Sequence, residues 1–189
     1  FFENSSAIAA AGLSGLQKYG AKSVILDLRG NKGGSPREAA ALLRLFVAKP
    51  GPVLAITSRH KGYTQVFRAE ARGQFAGMRL AALVDPATSM TGEVFAASLK
   101  ETAGAVVIGG KTAGNVSIQK TFNLDRGRGL RLTVARLAPP SENDLEETGL
   151  VPEIPVEAAG STAWSAAPAD ALLKDPVYLR ALEILSKAR

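Results

Sequence analysis

Apolar positions along this chain follow two periods, one typical of buried strands and one typical of helices. The segments 23–29 and 80–84 are short, nearly continuous apolar runs, as in strands that are covered on both faces. The segments 6–19 and 176–187 instead place apolar residues at helical intervals after a capping or proline start. Because the two kinds of segment alternate, the sequence predicts an α/β class with a mainly parallel core sheet and packed helices.

The predicted elements cover most of the chain. Helices are expected at 6–19 after Asn4–Ser5–Ser6 as capping residues, from Ser35–Pro36 to about residue 48, at 92–101 and at 176–187. Strands are expected at 23–29, 53–57, 65–69, 80–84, 105–108, 118–123 and 129–135, with a hairpin tip at 59–62. We therefore expect a single domain over residues 1–189, with the alanine-rich stretch 157–167, which includes Trp164, as a surface connection.

Composition and charge narrow the class of protein. With 46% hydrophobic and 21% charged residues, the chain has the composition of a folded domain. The net charge is +6. Basic residues are densest at Arg126–Arg128–Arg131 and at Arg59–Lys61. Neither group has aromatic residues between its basic residues, so no nucleic-acid partner is expected. The sequence has no cysteine, and no apolar run reaches the ~20 residues of a membrane span. It also lacks a signal peptide, but it starts at Phe1, which indicates a processed or excised piece whose targeting signal could lie upstream.

Two loops are candidates for chemistry because each follows a predicted buried strand. They span residues 30–35 and 85–92, and ligand sites in α/β sheets favour the carboxyl ends of strands. The amides of Gly33 and Gly34, and that of Thr91 at a helix start, are candidates to bind an oxyanion or a peptide carbonyl. A phosphate loop is the competing interpretation, but its Gly-x-x-x-x-Gly-Lys-Ser/Thr spacing is missing. Taken alone, a purely structural tight turn explains the glycines equally well.

Several segments, in order, resemble the carboxyl-terminal processing (tail-specific) peptidases. Residues 24–34, VILDLRGNKGG, are similar to the family signature ILDLRGNPGG, and residues 105–119, AVVIGGKTAGNVSIQ, are similar to VIGEKTFGKGTVQ. Residues 129–136, 139–141 and 149–156 resemble GLKLTTARYYTPSG and the following GIxPDIxV, and 175–183 resemble the closing helix. The resemblance is collinear over residues 1–185.

This resemblance implies a crotonase-like α/β core and cleavage of proteins near their C-termini. In the family, an unprotonated lysine takes the proton from a serine that attacks the peptide carbonyl, and burial keeps the lysine neutral. A glutamine four residues after the lysine orients it, and backbone amides form the oxyanion hole. Most members also carry a PDZ domain, which we expect to be absent from this chain.

The dyad positions depart from the family pattern. Residues 83–94, LVDPATSMTGEV, align without a gap with the segment that holds the nucleophile elbow SASASEI, which retains the family glutamate as Glu93 and places Met90 at the nucleophile position. The lysine position falls on Asn115, while the orienting glutamine is retained as Gln119. A thioether is no peptide nucleophile and an amide is no general base, so the resemblance implies that the dyad is lost.

Neighbouring residues offer an alternative dyad. Ser89 flanks the elbow position and Lys111 lies in the second loop, so a shifted Ser89/Lys111 pair is the competing hypothesis. The simpler interpretation is that Ser89 and Thr91 cap the following helix and that Lys111 is solvated. Adjacent residues of a turn point in different directions, and a displacement of about 1 Å can cost ~100-fold in rate.

Other kinds of site find little support in the sequence. His60, the only histidine, falls at the predicted hairpin tip, so we expect an exposed turn residue instead of a member of a Ser–His–Asp triad. The acidic residues Glu142, Asp144, Glu146 and Glu147 are expected to form a solvated loop surface, and no metal site or cofactor is predicted.

The resemblance leads to two hypotheses for the function. The first is a non-catalytic family member that binds extended peptides or protein C-termini in the former active-site groove; the second is an active serine endopeptidase with the shifted dyad. A third, binding of a small apolar ligand, rests on analogy with other crotonase-like domains. A homo-oligomer is left open, and the resemblance alone suggests the cell envelope, the periplasm or secretion.

Overall fold

The computed structural model describes residues 1–157 and 169–187 of the chain. In chain order its helices are α1 (Ser5–Lys18), α2 (Pro36–Arg44), α3 (Thr91–Ala103), α4 (Ala169–Leu172) and α5 (Pro176–Lys187). Its strands are β1 (Ser23–Asp27), β2 (Gly51–Thr57), β3 (Gln65–Ala69), β4 (Arg79–Val84), β5 (Val106–Gly109), β6 (Ser117–Asn123), β7 (Gly129–Ala138) and β8 (Ile154–Pro155). The predicted surface connection at 157–167, with Trp164, lies almost wholly outside the described residues.

The strands form two four-stranded sheets. The first has the order β1-β4-β5-β8 with every pair parallel, and the second has the order β3-β2-β7-β6 with every pair antiparallel. The parallel sheet that the alternating pattern predicts is therefore present. The prediction of a mainly parallel arrangement missed that β6 and β7 return as a hairpin beside β2 instead of joining the first sheet.

The two faces of β4 explain its continuous apolar run. Leu80, Ala82 and Val84 belong to the main core, in which most of α3 is also buried. The alternate residues Ala81 and Leu83 belong to a second cluster formed with α5. Since successive side chains of a strand point to opposite faces, a strand between two layers of helix must be apolar throughout.

Helix α1 begins differently from the prediction. Asn4 occupies the N-cap with φ 66° and forms no side-chain capping hydrogen bond. Instead the carboxylate of Glu38, in the first turn of α2, accepts hydrogen bonds from the Ser6 amide at 3.1 Å and the Ser6 hydroxyl at 2.8 Å. A carboxylate from the neighbouring helix thus satisfies an amide of the first turn and complements the positive end of the helix dipole.

The other differences are local. Ser35 caps helix α2, since its hydroxyl accepts a hydrogen bond from the Glu38 amide at 3.3 Å. The helix ends at Arg44, before the predicted limit near residue 48. The short elements β8 and α4 were not predicted, since two and four residues carry too little periodicity. No helix of the described residues is long and apolar enough to cross a membrane.

Candidate active site

The turn from β4 into α3 holds Met90 in a strained backbone conformation. Met90 is the N-cap of α3 and has φ 54° and ψ −128°, a combination that residues with a side chain rarely adopt. A sharp strand-to-helix turn of this kind lifts one side chain out at the end of a sheet, as the nucleophile elbows of hydrolases do. The position that the sequence comparison assigned to the nucleophile therefore keeps an elbow backbone.

A hydrogen-bonded frame fixes the loop that leads into this elbow. Asp85 Oδ1 accepts from the amides of Gly30 at 2.9 Å and Thr88 at 2.8 Å, and the Thr88 hydroxyl lies 3.0 Å from the Leu28 carbonyl oxygen. The amide of Ser89 donates to the Asn31 carbonyl at 2.9 Å. The loops after β1 and β4 thus form one unit. This role of Asp85 was not predicted, although Asp-Pro-x-Thr is a turn signature.

Met90 and Asn115 lie next to each other. The Met90 amide donates to the Asn115 carbonyl oxygen at 2.8 Å, which joins the elbow to the loop between β5 and β6. The structure therefore brings together the two positions that the sequence comparison assigned to the dyad. Asn115 is exposed and Met90 is half-buried.

Glu93 holds the loop of Asn115 in place. Its carboxylate, fully buried in the first turn of α3, accepts hydrogen bonds from the Thr112 hydroxyl at 2.5 Å, the Gly114 amide at 2.8 Å and the Asn115 amide at 3.0 Å. Among the described residues it forms no salt bridge, so these donors and the amino end of α3 replace its hydration. Glu93 thus positions the backbone of Asn115, the residue that the sequence resemblance aligned with the lysine.

A second carboxylate fixes the far end of the same loop. Glu146 Oε2 accepts from the Val116 amide at 2.9 Å, and Glu146 Oε1 accepts from the Ser117 hydroxyl at 2.7 Å. The expectation that the whole acidic run 142–147 forms a solvated surface is therefore wrong for Glu146, which is half-buried. Within the described residues, no group of three or more histidine, cysteine, aspartate or glutamate side chains is arranged to hold a metal ion.

The glycine turn after β1 packs directly on the elbow. Gly33 has φ 107°, and a Cβ at this position would lie 3.1 Å from the Thr91 amide nitrogen, which belongs to the unpaired first turn of α3. The Thr91 hydroxyl donates to the Gly34 carbonyl at 2.9 Å, so it does not cap its own helix. The amide of Gly33 donates to Asn31 Oδ1 at 2.9 Å. The three expected oxyanion or peptide-binding residues are thus adjacent, with the Gly33 amide engaged by an asparagine side chain.

A register shift in β6 lies between Gln119 and the site formed by Met90 and Asn115. Gln119 lies opposite Thr133, just after the shift that follows Ile118, and it is exposed. Its side chain forms no hydrogen bond within the part of the chain that the structure describes. An orienting role toward position 115 therefore stays a prediction.

The alternative dyad is not assembled. Ser89 is half-buried and Lys111 is exposed, and no hydrogen bond or ion pair joins them or engages the Lys111 ammonium among residues 1–157 and 169–187. His60 lies at an exposed tip between β2 and β3, as predicted, where its Nδ1 accepts from the Gly62 amide at 3.2 Å.

An ion pair at the same edge of the sheet anchors α5. The guanidinium of Arg29 forms ion pairs with Asp27 at 2.6 Å and with Asp175 at 2.5 Å. The other carboxylate oxygen of Asp175 accepts hydrogen bonds from the amides of Val177 at 2.8 Å and Tyr178 at 3.1 Å. Burial alone would lower the pKa of Arg29, but the hydrogen bonds and charges of the two aspartates outweigh it and raise that pKa. This pair ties the start of α5 to the end of β1.

The elbow, the glycine turn and the loop of Asn115 all fall within one family match. The model of peptidase family S41 matches residues 1–156.

The chain belongs to peptidase family S41.

Two processing peptidases are similar in sequence to this S41 chain. It is 31% identical over 157 residues to "Carboxyl-terminal-processing peptidase 2, chloroplastic" of Arabidopsis thaliana, a match that covers 82% of the chain and 30% of that protein. It is 33% identical over 158 residues to a carboxyl-terminal-processing protease of Synechocystis, covering 83% of the chain and 36% of that protein. The S41 chain thus spans about a third of the length of these relatives.

A solved structure confirms the fold of the S41 chain. The photosystem II D1 C-terminal processing protease is similar with a TM-score of 0.72 and 27% identity, over 83% of this chain and 40% of that chain. The α/β, crotonase-like class that the sequence resemblance implied is therefore confirmed. The single-domain boundary, the oligomeric state and the compartment of the S41 chain remain predictions.

Proposed function

We propose that this S41 chain is a non-catalytic member of its family that binds extended peptides or protein C-termini at the elbow and the glycine turn beside it. The observation that carries the proposal is the pair of residues at the dyad positions, Met90 and Asn115, held together by a 2.8 Å backbone hydrogen bond. The thioether of methionine has no proton to transfer, and the amide of asparagine is not a base at neutral pH.

The retained backbone supports a binding role. The turn at Gly33–Gly34 keeps both residues at positive φ, and the Thr91 amide lies at the amino end of α3, where helix amides lack intrahelical acceptors. Such donors recognise peptide carbonyl and terminal carboxylate groups without a catalytic side chain. A bound carbonyl would take the place of the Asn31 side chain on the Gly33 amide.

An active serine endopeptidase with a Ser89/Lys111 dyad is the alternative. The partial exposure of Ser89 beside the elbow favours it. Against it, no hydrogen bond or ion pair joins Ser89 and Lys111 among the described residues, whereas positions 90 and 115 are in direct contact. The non-catalytic role is therefore the better supported of the two.

Mass spectrometry separates the two functions. The chain and its Ser89→Ala variant are incubated with a mixture of unstructured polypeptides, and the non-catalytic role predicts intact polypeptides in both samples. Cleavage that disappears with Ser89→Ala would establish the shifted dyad and overturn the proposal.

Binding is tested by fluorescence anisotropy with labelled peptides that end in a free or an amidated carboxyl group. Met90→Trp places a bulky ring beside the glycine turn and is expected to weaken binding at least tenfold. The matched control Leu182→Trp changes an exposed position on α5 and should leave binding unchanged. Equal affinities of the two variants would show that the peptide binds elsewhere.

A further inference from the structure

The hairpin of β6 and β7 extends beyond its own sheet. Strand β2 pairs with β7 only at Arg136, Leu137 and Ala138, whereas β6 pairs with β7 as far as Asn123 and Gly129. The outer part, residues 119–133, is therefore a two-stranded ribbon, and every residue in it is exposed. We call residues 119–133 the ribbon.

One face of the ribbon carries three large apolar side chains, Phe122, Leu130 and Leu132, together with Lys120. Lys120 pairs with Leu132 and Phe122 pairs with Leu130, and cross-strand partners lie on the same face of a sheet. Leu130 is 45% exposed and Leu132 is 46% exposed, and Leu124 at the tip is equally open. Large apolar side chains gathered on one exposed face mark an interaction surface.

Basic side chains lie all along the ribbon: Lys120 on the same face, Arg131 opposite Thr121 on the other face, and Arg126 and Arg128 at the tip. Lys120, Arg126, Arg128 and Arg131 are exposed, against the single acidic residue Asp125, and none of the four cations forms an ion pair within the described residues. The ammonium of Lys120 lies 3.3 Å from the hydroxyl of Tyr63 at the neighbouring tip between β2 and β3. That tip also carries the exposed residues Arg59 and Lys61, which add positive charge on the side of the base of the ribbon.

We propose that the ribbon docks on the surface of an anionic lipid membrane, with the Phe122, Leu130 and Leu132 side chains in the interface and the basic side chains on the head groups. The inference is independent of the proposed function, because it concerns another surface. An amphipathic element with a basic rim binds anionic bilayers through apolar burial together with electrostatic attraction.

Two observations favour a lipid surface over another macromolecule. The ribbon is a projecting two-stranded element exposed on both faces, so it offers no pocket of the kind that holds the anchor residues of a protein interface. A second copy of the chain would place its own excess of cations against those of the first, which is unfavourable. A flat, fluid and negatively charged surface meets neither obstacle.

Vesicle flotation tests the proposal with the chain as it is. Binding to vesicles of phosphatidylcholine with phosphatidylglycerol should exceed binding to phosphatidylcholine alone and should weaken with salt. The variant Leu130→Ser/Leu132→Ser is expected to lose about tenfold in affinity. The matched control Leu179→Ser/Leu182→Ser removes leucines of α5 that are 43% and 39% exposed and should bind like the unchanged protein. Absence of binding to the anionic vesicles, or an equal loss in both variants, would overturn the proposal.

A fluorescence measurement avoids any dependence on destabilising variants. Because the chain has no cysteine, Leu124→Cys provides a single attachment site for an environment-sensitive dye, and Leu182→Cys provides the control. Anionic vesicles should shift the emission of the dye at position 124 to the blue and leave that at position 182 unchanged. If an acidic polypeptide shifts the dye at position 124 and vesicles do not, the partner is a protein and the lipid proposal is wrong.

Discussion

A Cβ added to Gly33 would lie 2.7 Å from the Cβ of Met90, closer than carbon atoms of two side chains approach each other. Gly33 also has φ 107°, outside the range that other residues favour. The glycine turn and the elbow can therefore adopt their present arrangement only with glycine at position 33.

Gly33→Ala is expected to lower the free energy of unfolding by roughly 2–4 kcal/mol, because overpacking and backbone strain act together. Urea titration measures this change. Gly12→Ala is the control, since nothing lies within 4 Å of its Cβ position in α1, and alanine there should stabilise by about 1 kcal/mol. Similar values for the two variants would show that the turn is free to move away from the elbow.

The strain at Met90 is measured by comparing two truncations. Met90→Ala and Met90→Gly both remove the thioether, but only glycine adopts φ 54° and ψ −128° without strain. We expect the glycine variant to be more stable to urea than the alanine variant by about 1–2 kcal/mol. At exposed Ala11 in α1 the order should reverse, with Ala11→Gly costing about 1 kcal/mol. A more stable alanine variant at position 90 would mean that the elbow is not strained.

Glu93→Gln tests the clamp on the Asn115 loop. An amide cannot accept all three hydrogen bonds, and its NH2 group would face a donor, so we expect a loss of about 1–3 kcal/mol in the free energy of unfolding. The control Glu101→Gln removes an exposed carboxylate that also accepts a backbone amide and a hydroxyl, both from Ser141, and should cost under about 0.5 kcal/mol. Amide hydrogen exchange should quicken at Gly114 and Asn115 in the Glu93 variant alone.

The capping of α1 by Glu38 predicts a dependence of stability on pH. The Ser6 amide and the Ser6 hydroxyl, with Ser5 contributing less, lower the pKa of Glu38 below 4.5. A carboxylate with a lowered pKa stabilises the fold above its unfolded pKa, and this contribution disappears as the pH falls through the folded pKa. The gap in unfolding free energy between the unchanged protein and Glu38→Gln should therefore be full at pH 7 and shrink below about pH 4.5.

Glu3→Gln provides the matched control for that pH series. Glu3 precedes the same helix but is exposed, and its carboxylate makes no hydrogen bond in the described part of the chain. Its substitution should leave the pH dependence unchanged. A gap for Glu38→Gln that stays constant from pH 7 to acid would contradict the capping role.

Restoring the dyad tests the assignment of the two positions. Met90→Ser alone should remain inactive because no base stands at position 115, whereas Met90→Ser/Asn115→Lys is expected to form a covalent adduct with a fluorophosphonate, seen as a mass increase. General-base activation contributes about 10²–10⁴-fold to such reactions. A double variant that folds and binds peptides but stays inert would count against the alignment at residues 90 and 115.

The sequence predicted the parts of the fold that depend on local pattern. The apolar run at 80–84 predicted a strand between two layers because both of its faces are buried, and Ser35–Pro36 predicted the start of α2. The second sheet was missed because β6 and β7 follow β5 without an intervening α-helix, so nothing in the chain order separates them from the first sheet. Which sheet a strand joins depends on packing between distant segments, such as β2 against β7.

The candidate site shows the same difference between features that follow from local motifs and features that depend on folding. The positions of Gly33, Met90 and Asn115 followed from motifs of fixed order, and the structure places them together. The contacts of Asp85 with Gly30 and of Glu146 with Val116 were missed because folding brings these groups together from distant parts of the chain. The Asn31 contact is local, since its side chain accepts a hydrogen bond from the amide two residues on, and this is a turn that asparagine favours and that the sequence could have indicated.

The hydrogen bond between Met90 and Asn115 involves only main-chain atoms, and the frame around it rests on Asp85, Thr88 and Glu93. Among the described residues, neither side chain at the two central positions forms a hydrogen bond to that frame. The backbone arrangement at positions 90 and 115 is therefore independent of the functional groups that the two side chains carry. Other side chains could be introduced at positions 90 and 115 without changing the residues around them. The domain is therefore suited to acquire a new activity by substitution at these two positions.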